Sequence, residues 1–191
     1  DEYIRLFDIA LPQSVVAFDG EAFVGLALLG LRGAESWITR LGVAPAGRKQ
    51  GAARQLVEAL IVNARQAAAR HMRLEVIADN PPAIHLFRKA GFRPWRELVI
   101  LKRPGNLPLV AEGAVRNMSR HEIMTNVDSR RDPPSWKLAG RSYLNNPAVQ
   151  GIKVWMQDVG QGWMVFQPMA GKLRRIAFES MGAHGVVLRG L

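Results

Sequence analysis

The sequence predicts a mixed α/β fold, a mostly antiparallel twisted sheet flanked by helices, followed by a smaller and incomplete unit of related pattern. Three observations predict it. Apolar runs before residue 44 are punctuated by Asp19-Gly20 and Gly33, a strand-and-turn signature. The apolar spacing then switches to that of a helix over 50–70. A strand and a short capped helix follow before Gly91.

Gln13 to Asp19 reads as a short strand ending at a two-residue hairpin turn. Glu21 to Leu31 resumes as a longer strand whose unbroken apolar run implies burial on both faces. Arg32-Gly33-Ala34 turns the chain, and Glu35 to Val43 completes an antiparallel meander. From Gln50 to Arg70, Ala53, Val57, Leu60, Ala64 and Ala67 form one helical stripe, widened by Leu56, Ile61 and Ala68. His71 to Ala78 returns to strand. Asn80 caps the next helix, Pro81 suits its first position and Gly91 ends it. Its inward face holds Ile84 and Phe87. Arg93 to Lys102 is the last strand of this unit, and the strands flanking the long helix are expected to be parallel neighbours.

The first unit is thus expected over 1–103, a linker over 104–118 and a second unit over 119–191. Ser119-Arg120-His121-Glu122 has the pattern of a capping box opening a short helix. Asp132-Pro133-Pro134 interrupts it, and Ser135 to Leu144 reads as a second helix. Val149 to Asp158, Gly162 to Gln167 and Lys172 to Glu179 read as strands, and Gly182 to Leu191 as the start of another helix.

Composition narrows the classes. The 191 residues are 48% hydrophobic and 22% charged, a balance that can build a core. No apolar run is long enough to span a bilayer, and no basic-then-apolar leader opens the chain, so no membrane partner is expected. The absence of cysteine removes disulfides, thiolate catalysis and Cys-based zinc sites. Four scattered histidines lack metal-ligand spacing, so no metal is expected, and a cytoplasmic location fits. A net charge of +10 admits an anionic partner, but no run of five like charges marks a nucleic-acid patch.

The chemistry concentrates in Leu41-Gly42-Val43-Ala44-Pro45-Ala46-Gly47-Arg48-Lys49-Gln50-Gly51-Ala52-Ala53. A strand ends, a tight loop follows and a long helix begins. Backbone N–H groups at such a helix start have no intrahelical partner, and the helix dipole adds positive charge there, so a pyrophosphate fits. Gly51 and Ala52 leave room for it and Arg48 adds a charged fork. The spacing matches neither a P-loop nor a dinucleotide fingerprint.

Arg48-x-x-Gly51-x-Ala53 resembles the R/Q-x-x-G-x-G/A signature of GNAT-type N-acetyltransferases. Asn80-x-x-Ala83, Leu86-Phe87 and Gly91-Phe92 resemble the same family's N-x-x-A…L-Y-x-x-x-G-F motif. The resemblance covers 13–102. It implies an acetyl-CoA-dependent transfer to a primary amine of a small molecule or peptide by direct attack on the thioester. It also implies cofactor contacts at Leu41, Val43, Arg48, Lys49, Gln50, Gly51, Ala52, Ala53, Asn80 and Phe87. The two parallel strands, Trp37–Val43 and Arg73–Ala78, are expected to splay, with amides near Leu41 or Val43 stabilising the oxyanion.

Glu75 matches the position of the base in some members, with Glu35 a second candidate and Glu21 a more distant one. Where the family carries the Tyr that protonates the departing thiolate, this chain has Phe87. His85 lies on the wrong side of that helix to replace it. Members also open with a strand and two helices, for which Asp1 to Leu11 is too short. The tail resembles the front of a second, degenerate unit that shapes the acceptor site or a homodimer contact. Two other classes stay open: a non-catalytic acyl-CoA-binding module and a nucleic-acid-binding protein.

Overall fold

A computed structural model describes residues 2–99, 113–130, 132, 134–156, 160–170 and 172–181. The chain forms two units, Asp1–Val99 and Ile100–Leu191.

The first unit opens with a one-and-a-half-turn helix, α1 (Glu2–Leu6), which the sequence reading did not foresee. Then come β1 (Val15–Asp19), β2 (Ala22–Arg32) and β3 (Glu35–Val43), the expected meander. The helix α2 (Ala52–Gln66) crosses to β4 (His71–Leu74), and α3 (Pro81–Lys89) follows. The sheet order is β1-β2-β3-β4, antiparallel except for the β3–β4 pair. A strand–helix–strand crossover produces that parallel pair, as expected from the chain order.

One face of the sheet holds α2. Ala27, Leu29 and Ile38 meet Leu56, Val57, Leu60 and Ala64, all buried, and Phe87 of α3 joins the same core. Full burial of an aliphatic side chain of this size contributes about 1.5–3 kcal/mol. In the first turn the buried residue is Ala52, with Ala53 half-buried, so the stripe sits one residue off the expected register there. Arg54 and Glu58 form a 2.7 Å ion pair on the outer side.

The other face receives α1. Segment 8–10 extends the sheet beyond the end of β1: Ala10 N–H donates to Leu29 C=O at 2.8 Å, and Leu31 N–H to Asp8 C=O at 3.0 Å. Arg32 clamps the same corner through Asp8 at 2.7 Å. Phe7 then stacks edge-on against Trp37 at 6.0 Å, with both rings buried.

Two expectations in this unit need correction. The strand over His71 to Ala78 stops at Leu74, and 93–99 take no strand pairing; 100–102 lie outside the described residues. Among the described residues the pairing of β4 with β3 ends at Ile38↔Leu74, and no strand pairs with 93–99.

The second unit comprises β5 (Ala114–Asn117), α4 (Arg120–Asp128), α5 (Gly140–Leu144), β6 (Gln150–Met156), β7 (Gly160–Met169) and β8 (Lys172–Met181). Its antiparallel sheet runs β5-β6-β7-β8. Ala114–Asn117 therefore form a strand within the span expected to be linker, pairing with Ile152 to Trp155. The core gathers Met118, Ile123, Val127, Tyr143, Trp163, Val165 and Ala177. The expected capping box is present. Ser119 Oγ accepts from Glu122 N–H at 3.2 Å, and Glu122 accepts from Ser119 N–H at 2.9 Å. The helix expected over Gly182 to Leu191 lies outside the described residues.

Candidate functional site: an unpaired strand edge and an uncapped helix start

Pairing between β3 and β4 runs from Glu35↔His71 to Ile38↔Leu74 and stops. On its other edge β3 continues against β2 as far as Val43. The register between these two strands shifts at Leu28/Leu29, which face Arg40 and Ile38, so Thr39 is the extra residue of a bulge. The bulge therefore sits where the parallel pairing ends. Among the described residues nothing pairs with the second edge of β3 from Thr39 to Val43, and in that sense this edge is open.

The open edge has defined polarity. Ala44 N–H donates to Val24 C=O at 2.8 Å. Bonded and non-bonded pairs alternate along an antiparallel ladder. Gly42 and Arg40 therefore turn their N–H and C=O toward β2, and Val43 and Leu41 turn theirs into the opening. Gly25 makes the close packing here feasible, since a Cβ on it would lie 2.5 Å from Gly42 O.

Beyond β3 the loop makes a single helical turn at Pro45–Gly47 and reaches α2. Lys49 and Gly51 both have positive φ, +63° and +84°. Gly51 is the N-cap of α2 and offers no side-chain cap, and the first turn carries no acidic residue. Arg54 and Gln55 N–H close onto Gly51 C=O at 3.0 and 3.1 Å. Among the described residues the N–H groups of Gly51, Ala52 and Ala53 take no partner. Nothing lies within 4 Å of the position a Gly51 side chain would occupy. Arg48 and Lys49 are exposed beside it, and Gln50 folds back with Nε2 on Ala46 O at 3.1 Å.

Glu75 is the first residue past the paired stretch, exposed at the mouth of the opening opposite Thr39. Glu35 does not join it. Its place at the far end of β3 is roughly 20 Å along the strand from Leu41, at about 3.3 Å per residue. There its carboxylate takes His71 Nδ1 at 2.9 Å and lies 3.1 Å from an Arg73 nitrogen, the latter without hydrogen-bond alignment. Glu21 is exposed in the β1–β2 turn. Phe87 is buried in the core and packs edge-on against Phe92 at 5.8 Å, so core contacts occupy the ring expected to meet cofactor. Asn80 caps α3, its Oδ1 accepting from Ala83 N–H at 3.3 Å.

The structure also assembles residues that the sequence reading passed over. Tyr3 of α1 hydrogen-bonds to Thr39 at the bulge, and the Arg40 guanidinium lies 4.6 Å from the centre of the Tyr3 ring. No periodic signal links residues 36 positions apart. Only the fold brings them together.

Residues 1–92 match the family model described as the acetyltransferase (GNAT) family. The first unit has the GNAT-family acetyltransferase fold. Solved structures match less than half of this chain. An aminoglycoside antibiotic 6'-N-acetyltransferase of Acinetobacter haemolyticus is 18% identical, covering 48% of this chain and 69% of that one, with a TM-score of 0.41. An acetyltransferase of Bacillus subtilis, solved in complex with CoA, is 24% identical over 44% of this chain and 57% of that one, with a TM-score of 0.40. The ribosomal-protein-S18-alanine N-acetyltransferase of Escherichia coli is 24% identical over 44% and 56%, with a TM-score of 0.41. This chain thus spans little more than half of the last two. No curated protein sequence matches it. In the second unit a strand and two helices precede three antiparallel strands, the opening order that the resemblance led us to expect of a GNAT unit. No helix among the described residues is long and apolar enough to cross a membrane.

Proposed function

We propose that the GNAT unit is an N-acetyltransferase that takes the acetyl group of acetyl-CoA and passes it to a primary amine. One observation carries the reading: the open edge of β3 leads directly into a helix start whose N–H groups are uncapped, with no acidic side chain in its first turn. Carboxylates or capping side chains there would exclude a pyrophosphate; their absence fits one. The N–H groups of Gly51, Ala52 and Ala53, with Arg48 and Lys49, hold the pyrophosphate. Gln50 shapes the loop, and Asn80 supports the neighbouring helix start. The donor supplies an activated thioester.

The remaining roles fall to the chain. The outward N–H groups of Val43 and Leu41 pair with the acyl arm and stabilise charge on the acetyl oxygen. Glu75 takes a proton from the incoming ammonium, directly or through water, so that a neutral amine attacks. The N–C bond forms, the nitrogen releases its second proton to solvent, the C–S bond breaks, and the thiolate takes up one proton. With Phe87 in the core, no Tyr on α3 supplies that proton. A thiolate whose conjugate acid has a pKa of about 8.5 leaves without one and is protonated from solvent. The second unit is the front of a degenerate second GNAT unit and binds no donor. A cytoplasmic enzyme, with a homodimer contact through the second unit, accompanies this reading.

Release of CoA thiol on mixing the chain with acetyl-CoA and a panel of primary amines tests the transfer. Amine-dependent release supports it. Donor binding without release for any amine would favour an acyl-CoA-binding module.

A further inference from the structure

The face of the sheet opposite α2 carries an arrangement that the transfer chemistry does not use. Trp37↔Arg73 is a register pair, and Trp37 packs on Phe7 of α1, so Arg73 lies on the α1 face. Tyr3, Thr39 and Arg40 lie on that face as well. Along β3, Arg40 stands roughly 10 Å from the level of Arg73, three residues at the usual strand rise. The two arginines thus bracket the mouth of the opening.

Both guanidinium groups are held on aromatic faces. Arg40 stacks on Tyr3 at 4.6 Å, and Tyr3 is itself fixed by Thr39 and by an edge contact with Phe7 at 4.9 Å. Arg73 and Arg96 lie 4.9 and 4.6 Å from the centre of the Trp95 ring, which is 60% exposed. Arg73 shares its charge with Glu35. Arg40 is exposed and has no carboxylate partner among the described residues. An arginine stacked on an aromatic ring keeps its planar fork free and oriented, which suits bidentate capture of a carboxylate or phosphate. A cationic acceptor would meet two guanidinium groups at the entrance, of which Arg73 is paired with Glu35 and Arg40 has no carboxylate partner among the described residues.

From this placement we infer that the acceptor amine carries an oxyanion, carboxylate or phosphate, which Arg40 binds while the amine faces Glu75. The inference rests on the transfer reading and deepens it. Arg40 is a specificity-determining residue and takes no part in bond making.

The test uses the full chain, acetyl-CoA and four short primary amines: β-alanine, phosphoethanolamine, ethanolamine and ethylenediamine. Thiol release is measured for each, with donor binding followed separately by calorimetry. We expect kcat/KM for β-alanine, phosphoethanolamine or both to exceed that for the other two by tenfold or more. Preference between the two anionic amines separates carboxylate from phosphate. Arg40→Gln should raise KM for the preferred anionic amine at least tenfold, with kcat for it, kcat/KM for ethanolamine and donor affinity each changed less than twofold. Arg40→Lys should recover part of the loss. Equal or better use of ethanolamine or ethylenediamine overturns the inference and leaves the transfer reading standing, as does an unchanged KM in Arg40→Gln. Donor binding with no turnover of any of the four overturns the inference, and the wider amine panel then decides the transfer reading.

Discussion

At Gly51 the backbone has a φ of +84°, a left-handed conformation that costs a residue with a side chain about 1–2 kcal/mol. Asp and Asn tolerate that region better than other residues, so Gly51→Asp and Gly51→Asn should lose similar amounts of stability. They differ in charge, which makes them a matched pair for probing an anion site. Glu75 offers a second residue-scale prediction. If it accepts the amine proton, Glu75→Gln should lower kcat by about 10²–10⁴-fold, with donor affinity unchanged. Phe87 offers a third. Because the ring lies in the core, Phe87→Ala should cost about 3–5 kcal/mol by chemical denaturation. Phe87→Tyr restores the hydroxyl that other members carry, yet it should lower stability, since a buried hydroxyl without a partner costs about 1–3 kcal/mol. No gain in turnover is expected from it. A large gain would show that the ring reaches the thioester.

At the scale of elements, the capping box of α4 makes a pH-dependent prediction. The Arg116 guanidinium, with Nη2 against the Glu122 carboxylate, holds that carboxyl well below the usual carboxylate range, and Ser119 N–H adds to the effect. A lowered folded-state pKa means the pairing stabilises the fold fully above the unfolded value of about 4.3 and is lost as pH falls through and below it. Glu122→Gln should therefore lower the melting temperature at pH 7, and the deficit should shrink on acidification below pH ~4. Ser119→Ala should cost about 1 kcal/mol at either pH.

The same scale separates what the sequence disclosed from what it withheld. The meander, the long helix and the Asn80 and Ser119 caps were legible because each is written in local spacing and local hydrogen bonding. The end of β4 at Leu74 was not, because Glu75 to Ala78 have strand-like composition and lack only a pairing partner among the described residues. β5 was hidden among proline and glycine, and its pairing depends on Ile152 to Trp155, far along the chain. In the candidate site the helix start was legible at Gly51. The bulge at Thr39, the Tyr3–Arg40 stack and the diversion of Glu35 to His71 and Arg73 were not, since each is a contact between distant residues.

For the whole molecule, the net charge of +10 keeps a competing reading in play, since a basic surface attracts any polyanion. A nucleic-acid function would show as duplex binding that falls steeply with salt. A cofactor site built on a helix start would tolerate moderate salt and ignore competing DNA. The measurement that tests the central claim most directly is calorimetric titration of acetyl-CoA into the whole chain, its Gly51→Asp variant and its Gly51→Asn variant. The account predicts saturable binding to the unmodified chain, loss of most of that affinity in Gly51→Asp and a much smaller loss in Gly51→Asn. Equal affinities in all three, or no binding to the folded, CoA-free chain, would contradict it.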